Sequence, residues 1–173
     1  MREDITKVYP FDELSDEAKE TAIEKMYDIN IFYEWWESVY DDAATIGLVI
    51  EEFDIDRGSY CRGKWNEDAE DTAHLILERH GEACETHKDA TAFLEECHEA
   101  KKVYNAQPDY DPDYEEFTES DEYEELCEEF QRTICEDYRI ILQKEYEYLT
   151  SEEVIIETIE ANEYEFTEDG KLY

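Results

Sequence analysis

The sequence predicts a mainly α fold (α+β), about five to six helices with a small sheet from the terminal segments. Three observations predict it. The 173 residues include only five Gly and three Pro, so few positions break a helix. Apolar residues recur three and four apart through most segments. Seven Phe, three Trp and fourteen Tyr are too many for a solvated acidic tail, so a core is expected despite the charge. The length suits a single acidic domain over residues 1–173.

Residues 7–11, KVYPF, read as a short strand or arm that Pro10 ends. Ser15 is an N-cap for a helix to about residue 28, with Leu14, Ala18, Ala22, Met26 and Ile29 as its stripe. Trp36, Val39, Tyr40, Ala43, Ile46 and Ile50 share helical spacing, which predicts a second helix over about 33–52. Residues 53–65 read as a strand or turn-rich loop and form the basic island, with Arg57, Arg62 and Lys64. This segment is expected to serve as internal counter-charge, and its residues 53–60 are a further candidate strand beside the sheet of the termini.

Asn66 is read as the cap of a helix to about His80, where Gly81 signals its end. Another helix is expected over 87–105. Residues 106–120, with Pro108 and Pro112, read as an acidic loop leading into a long acidic helix over 120–149. That helix carries Leu126, Phe130, Ile134, Tyr138, Ile141 and Leu142 on one side. Thr150 and Glu153 fit a capping box for a last helix to about residue 162. The closing EYEFTEDGKLY alternates and holds an Asp-Gly turn.

Charge dominates everything else. Asp and Glu number 52 against 15 Lys and Arg, a formal net charge of -37. Such a field repels nucleic acid and anionic membranes and attracts basic surfaces. No apolar run is long enough to span a bilayer and no signal-peptide pattern opens the chain, so a cytoplasmic protein is expected. The five cysteines are then expected as reduced thiols.

The densest acidic stretch is 109–129, which contains no lysine, arginine or histidine. Its acids are the candidate partner-binding residues: Asp109, Asp111, Asp113, Glu115, Glu116, Glu119, Asp121, Glu122, Glu124, Glu125, Glu128 and Glu129. In a helix, Asp121, Glu124, Glu125 and Glu128 share one face. A helical turn of about 5.4 Å is close to the roughly 6–7 Å between phosphates along a DNA strand. Tyr110, Tyr114 and Tyr123 are expected to stack on partner arginines.

Metal and catalytic chemistry are not expected. Asp109, Asp111 and Asp113 begin like a calcium loop, but Tyr114 stands where glycine is needed and Ser120 where the bidentate Glu belongs. His80, Cys84, His87, Cys97 and His98 cluster in sequence without a CxxC knuckle or a standard zinc frame. No GxSxG, papain-type context or phosphate loop is present; GSYCRGK lacks the required spacing. No catalytic residue, metal or cofactor is therefore assigned.

Three stretches carry a resemblance. VYPFDELSDEAKETAIEKMYDIN through YEWWESVYDDAATIGLVI, with FDIDRGSYCRGKW and the C-terminal YLTSEEVIIETIEANEYEFTEDGKL, resembles a group of small phage and prophage accessory proteins. Some members of that group carry an antitoxin label. The resemblance implies a phage setting and transfers no site residue. By size and composition the chain also resembles phage DNA-mimic anti-restriction inhibitors, a likeness of physics rather than motif. The expected function is thus a non-enzymatic inhibitor of a host restriction, BREX or CRISPR complex that occupies its nucleic-acid-binding cleft. The alternative is an antitoxin-like protein that masks one basic partner without mimicking DNA. Either way the partner is a basic, nucleic-acid-binding host protein and not nucleic acid itself, and homodimerisation is left open.

Overall fold

The computed structural model describes residues 7–108, 110 and 116–173. Among them the order is β1 (Tyr9–Pro10), α1 (Asp16–Lys25), α2 (Glu37–Thr45), β2 (Leu48–Asp54), β3 (Tyr60–Trp65), α3 (Ala69–Arg79), α4 (Glu85–Asn105), α5 (Asp121–Leu149), α6 (Glu152–Ala161) and β4 (Glu165–Phe166). Single 3-10 turns cover Phe11–Glu13 and Phe117–Glu119. The fold is mainly helical with a small antiparallel β component, as expected. The chain forms two compact units: one from the residues up to Trp36 with Lys144–Tyr173, the other from Glu37–Gln143.

In the first unit the terminal segments pair as predicted. β1 runs antiparallel to β4, with Tyr9 opposite Phe166. Ser15 caps α1 by accepting from the Ala18 amide. The α1 stripe of Ala18, Ala22 and Met26 then packs with Phe11, Leu14, Ile155, Ile159 and Phe166. Phe11 meets Phe166 edge-on at 6.1 Å. The Asp-Gly turn closes as the Thr167 amide donates to Lys171 O, and Gly170 takes a positive φ of 77°. A Cβ there would lie 2.1 Å from Ala18 O, so glycine lets the turn lie on α1.

The predicted capping box is not made. Ser151 is the N-cap of α6 without a side-chain cap bond. Thr150 Oγ1 and Ser151 Oγ donate backwards instead, to the carbonyls of Tyr146 and Tyr148.

In the second unit the expected helix over 33–52 is a short helix and a strand. α2 stops at Thr45, Gly47 turns the chain at φ 80°, and β2 follows. The pattern misled because 46 and 50 are four apart, as in a helix, while 48 and 50 alternate as in a strand; all three are buried. β2 pairs with β3 in an antiparallel hairpin, with a bulge between Ile50 and Glu52. The basic island therefore forms a sheet of its own rather than joining the terminal strands. Arg62 and Lys64 pair across the hairpin with Glu52 and Glu51. The cap of α3 is Asp68, two residues after the expected Asn66, accepting from the Asp71 amide.

α5 supplies the spine of this core. Phe130, Ile134, Tyr138 and Leu142 are buried at helical spacing. Phe130 stacks on Phe93 of α4 at 4.2 Å and on Trp65 of β3 at 5.7 Å. Three rings thus lock helix, helix and hairpin together.

A candidate partner-binding face on α5

The start of α5 is anchored from below and charged above. Ser120 caps it, its hydroxyl accepting from the Tyr123 amide while donating to Phe117 O. Phe117 is buried, and its ring meets Tyr104 at 5.6 Å and Tyr123 at 5.4 Å. Tyr110 closes edge-on against Tyr104 at 5.6 Å. Tyr110 and Tyr123 are half-buried, and each packs one side of its ring against a neighbouring aromatic. Tyr114 lies outside the described residues.

Glu116, Glu119, Asp121, Glu122, Glu124, Glu125, Glu128 and Glu129 are all exposed. Burial of Phe130 and Ile134 aims the opposite side of the helix outward. Asp121, Glu122 and Glu124 lie in the first turn, where the helix macrodipole favours negative charge. The dense charge is therefore locally tolerated. Glu129 is paired with Arg132. Asp121, Glu122, Glu124, Glu125 and Glu128 have no basic partner among the described residues. Asp109, Asp111, Asp113 and Glu115 lie outside the described residues.

A cleft of about 230 Å³ adjoins this face, between α4 and α5. Asp89, Glu96, Glu129 and Thr133 line it together with Phe93, Leu126 and Phe130. One turn further along α5, Asp137 shares a hydrogen bond with Asp89. Burial first, then the charge of Asp89, pushes the Asp137 carboxyl up to about 7. Sequence reasoning missed this pair among 52 acids. The signal was position: Asp137 falls three residues after Ile134, on the inward stripe of α5.

The histidine and cysteine cluster is dispersed. His80 ends α3, with Nδ1 2.7 Å from Thr86 Oγ1 and Nε2 3.8 Å from Asp42 Oδ2. The same Asp42 oxygen accepts from the Tyr138 hydroxyl at 2.7 Å. Cys84 is exposed before α4, and Cys97 is buried, its thiol pushed up to about 12 by desolvation. His98 instead lines a separate cavity with Leu77, Leu94 and Glu95. Among the described residues, no group of three or more His, Cys, Asp or Glu side chains is placed to hold a metal. Nor does any described helix have the length and apolarity to cross a membrane.

No protein family, curated protein or solved structure matches the chain. The functional reading therefore rests on the α5 face itself.

Proposed function

We propose that the protein is a non-catalytic acidic ligand for a basic, nucleic-acid-binding protein, and that it presents carboxylates where that partner takes DNA phosphates. In the phage setting that the sequence resembles, the partner is a host restriction, BREX or CRISPR complex, and the protein inhibits it. The observation that carries this reading is the exposed row of Asp121, Glu122, Glu124, Glu125 and Glu128, without basic partners among the described residues and backed by the buried Phe117 and Phe130.

From Asp121 to Glu128 the helix rises about 10 Å, the span of two to three phosphates on one strand. The row alone replaces few phosphate contacts, so the other acids of the α4–α5 cleft, Asp89, Glu96 and Glu129, extend the footprint. Competition for a captured partner tests the reading. The tagged protein is used to pull down its partner from bacterial lysate at low salt, and duplex DNA of unrelated sequence is added. Release by DNA irrespective of sequence is expected. A partner that binds DNA and this protein together would contradict mimicry and point to masking of a different surface.

A further inference from the structure

β3 and α5 lie against each other in a regular register. Trp65 stacks on Phe130 at 5.7 Å, Gly63 O accepts from Gln131 Nε2 at 2.8 Å, and Ser59 Oγ accepts from Arg139 at 3.0 Å. From Gly63 to Ser59 four extended residues rise about 13 Å and from Gln131 to Arg139 eight helical residues rise about 12 Å, so these two contacts keep in step, while the Trp65–Phe130 stack lies outside that spacing. Between the Gly63 and Ser59 contacts the register places Cys61 beside Cys135, and the two thiols are hydrogen-bonded. Cys135 is buried and Cys61 half-buried. Nothing in the proposed binding face uses either residue.

We propose that Cys61 and Cys135 form a site of reversible oxidation, at which hydrogen peroxide converts the thiol pair to a disulfide that staples β3 to α5. The Cys61 thiol donates to Cys135, and the Gly63 backbone adds a second hydrogen bond, which holds Cys135 below the ordinary thiol range. Cys135 is therefore the more acidic thiol of the pair, while the bond to Cys135 first, and burial second, push Cys61 up. The Cys135 sulfur attacks a peroxide oxygen; an S–O bond forms, the O–O bond breaks, and hydroxide leaves to take up the released proton as water. The Cys61 sulfur then attacks the Cys135 sulfenic acid. An S–S bond forms, the S–O bond breaks, and the departing hydroxide takes the Cys61 proton as a second water. Two thiols are oxidised and one peroxide is reduced. Dithiothreitol reverses the change.

The test treats the reduced full-length chain with a few equivalents of hydrogen peroxide, blocks remaining thiols with N-ethylmaleimide after unfolding, and maps peptides by mass spectrometry. The expected result is that two of the five thiols are lost, a peptide links Cys61 to Cys135, and Tm rises by about 5 °C. Repeating the experiment on Cys84→Ala removes the exposed thiol, and the link should persist. The proposal is overturned if Cys61 and Cys135 are both recovered alkylated, if the link instead joins Cys97 and Cys127, or if the crosslink forms without raising Tm.

Discussion

Asp137 of α5 and Asp89 of α4 share a hydrogen bond, with Asp137 Oδ2 buried and without a hydrogen-bond partner. Two carboxyls in that arrangement cannot both be ionised without repulsion. The folded protein keeps the Asp137 proton to about pH 7, whereas the unfolded chain releases it near the usual carboxylate value. Between those limits the folded state binds more protons, so stability falls as pH rises. The contribution is fully present below about pH 4 and is lost above about pH 7. Melting temperatures of wild type and Asp137→Asn from pH 5 to pH 8 check this. The variant is expected to lose most of the decline and to melt above wild type at pH 8. An unchanged slope would show that other groups set the pH response.

Self-repulsion gives a related prediction. At a net charge of -37 the compact state crowds like charges more than the expanded chain does. Ion pairs such as Lys88–Glu85 and Lys102–Glu99 are exposed and contribute little each. Raising sodium chloride from about 0.01 to 0.15 M shortens the Debye length from about 30 to 8 Å and should raise Tm. A lower Tm in salt would mean that the ion pairs outweigh the repulsion.

Gly170 and Gly81 make a matched pair for backbone strain. Gly170→Ala places a Cβ against Ala18 O at a positive φ, so it should destabilise by at least about 2 kcal/mol. Gly81 has nothing within 4 Å of a built Cβ, and Gly81→Ala should change stability by less than about 0.5 kcal/mol. Urea unfolding measures both. Equal effects would contradict the close packing of the C-terminal turn on α1.

Much of the fold was legible because strong periodicity and local punctuation agreed. Phe130, Ile134, Tyr138 and Leu142 are buried at the spacing that predicted α5. Ser15 caps α1, and the Asp-Gly turn closes the C-terminus. Reading failed where one residue served two periods, as Ile50 did past Gly47, and where a motif had a competing bond, as at Thr150. Exposure of the α5 acids followed from the position of Phe130. The roles of Tyr110, Tyr123 and Asp137 did not, because each depends on Tyr104, Phe117 or Asp89, which only the tertiary fold brings near.

The central claim is that the α5 acids bind by placement rather than by total charge. Two variants test it against the partner captured at low salt. One replaces Asp121, Glu124, Glu125 and Glu128 with Lys; the other replaces Glu17, Glu20, Glu24 and Asp28, also exposed. Each replacement adds two charges, so both variants move by eight, from -37 to -29. Lys and Glu have similar helix propensity, and circular dichroism should show helical content retained in both. Reversal on α5 should weaken binding about a hundredfold or more, mainly through faster dissociation. Reversal on and beside α1 should slow association modestly and leave dissociation almost unchanged. Equal loss of affinity in the two variants would contradict the account and reduce the α5 acids to an ordinary solvated surface.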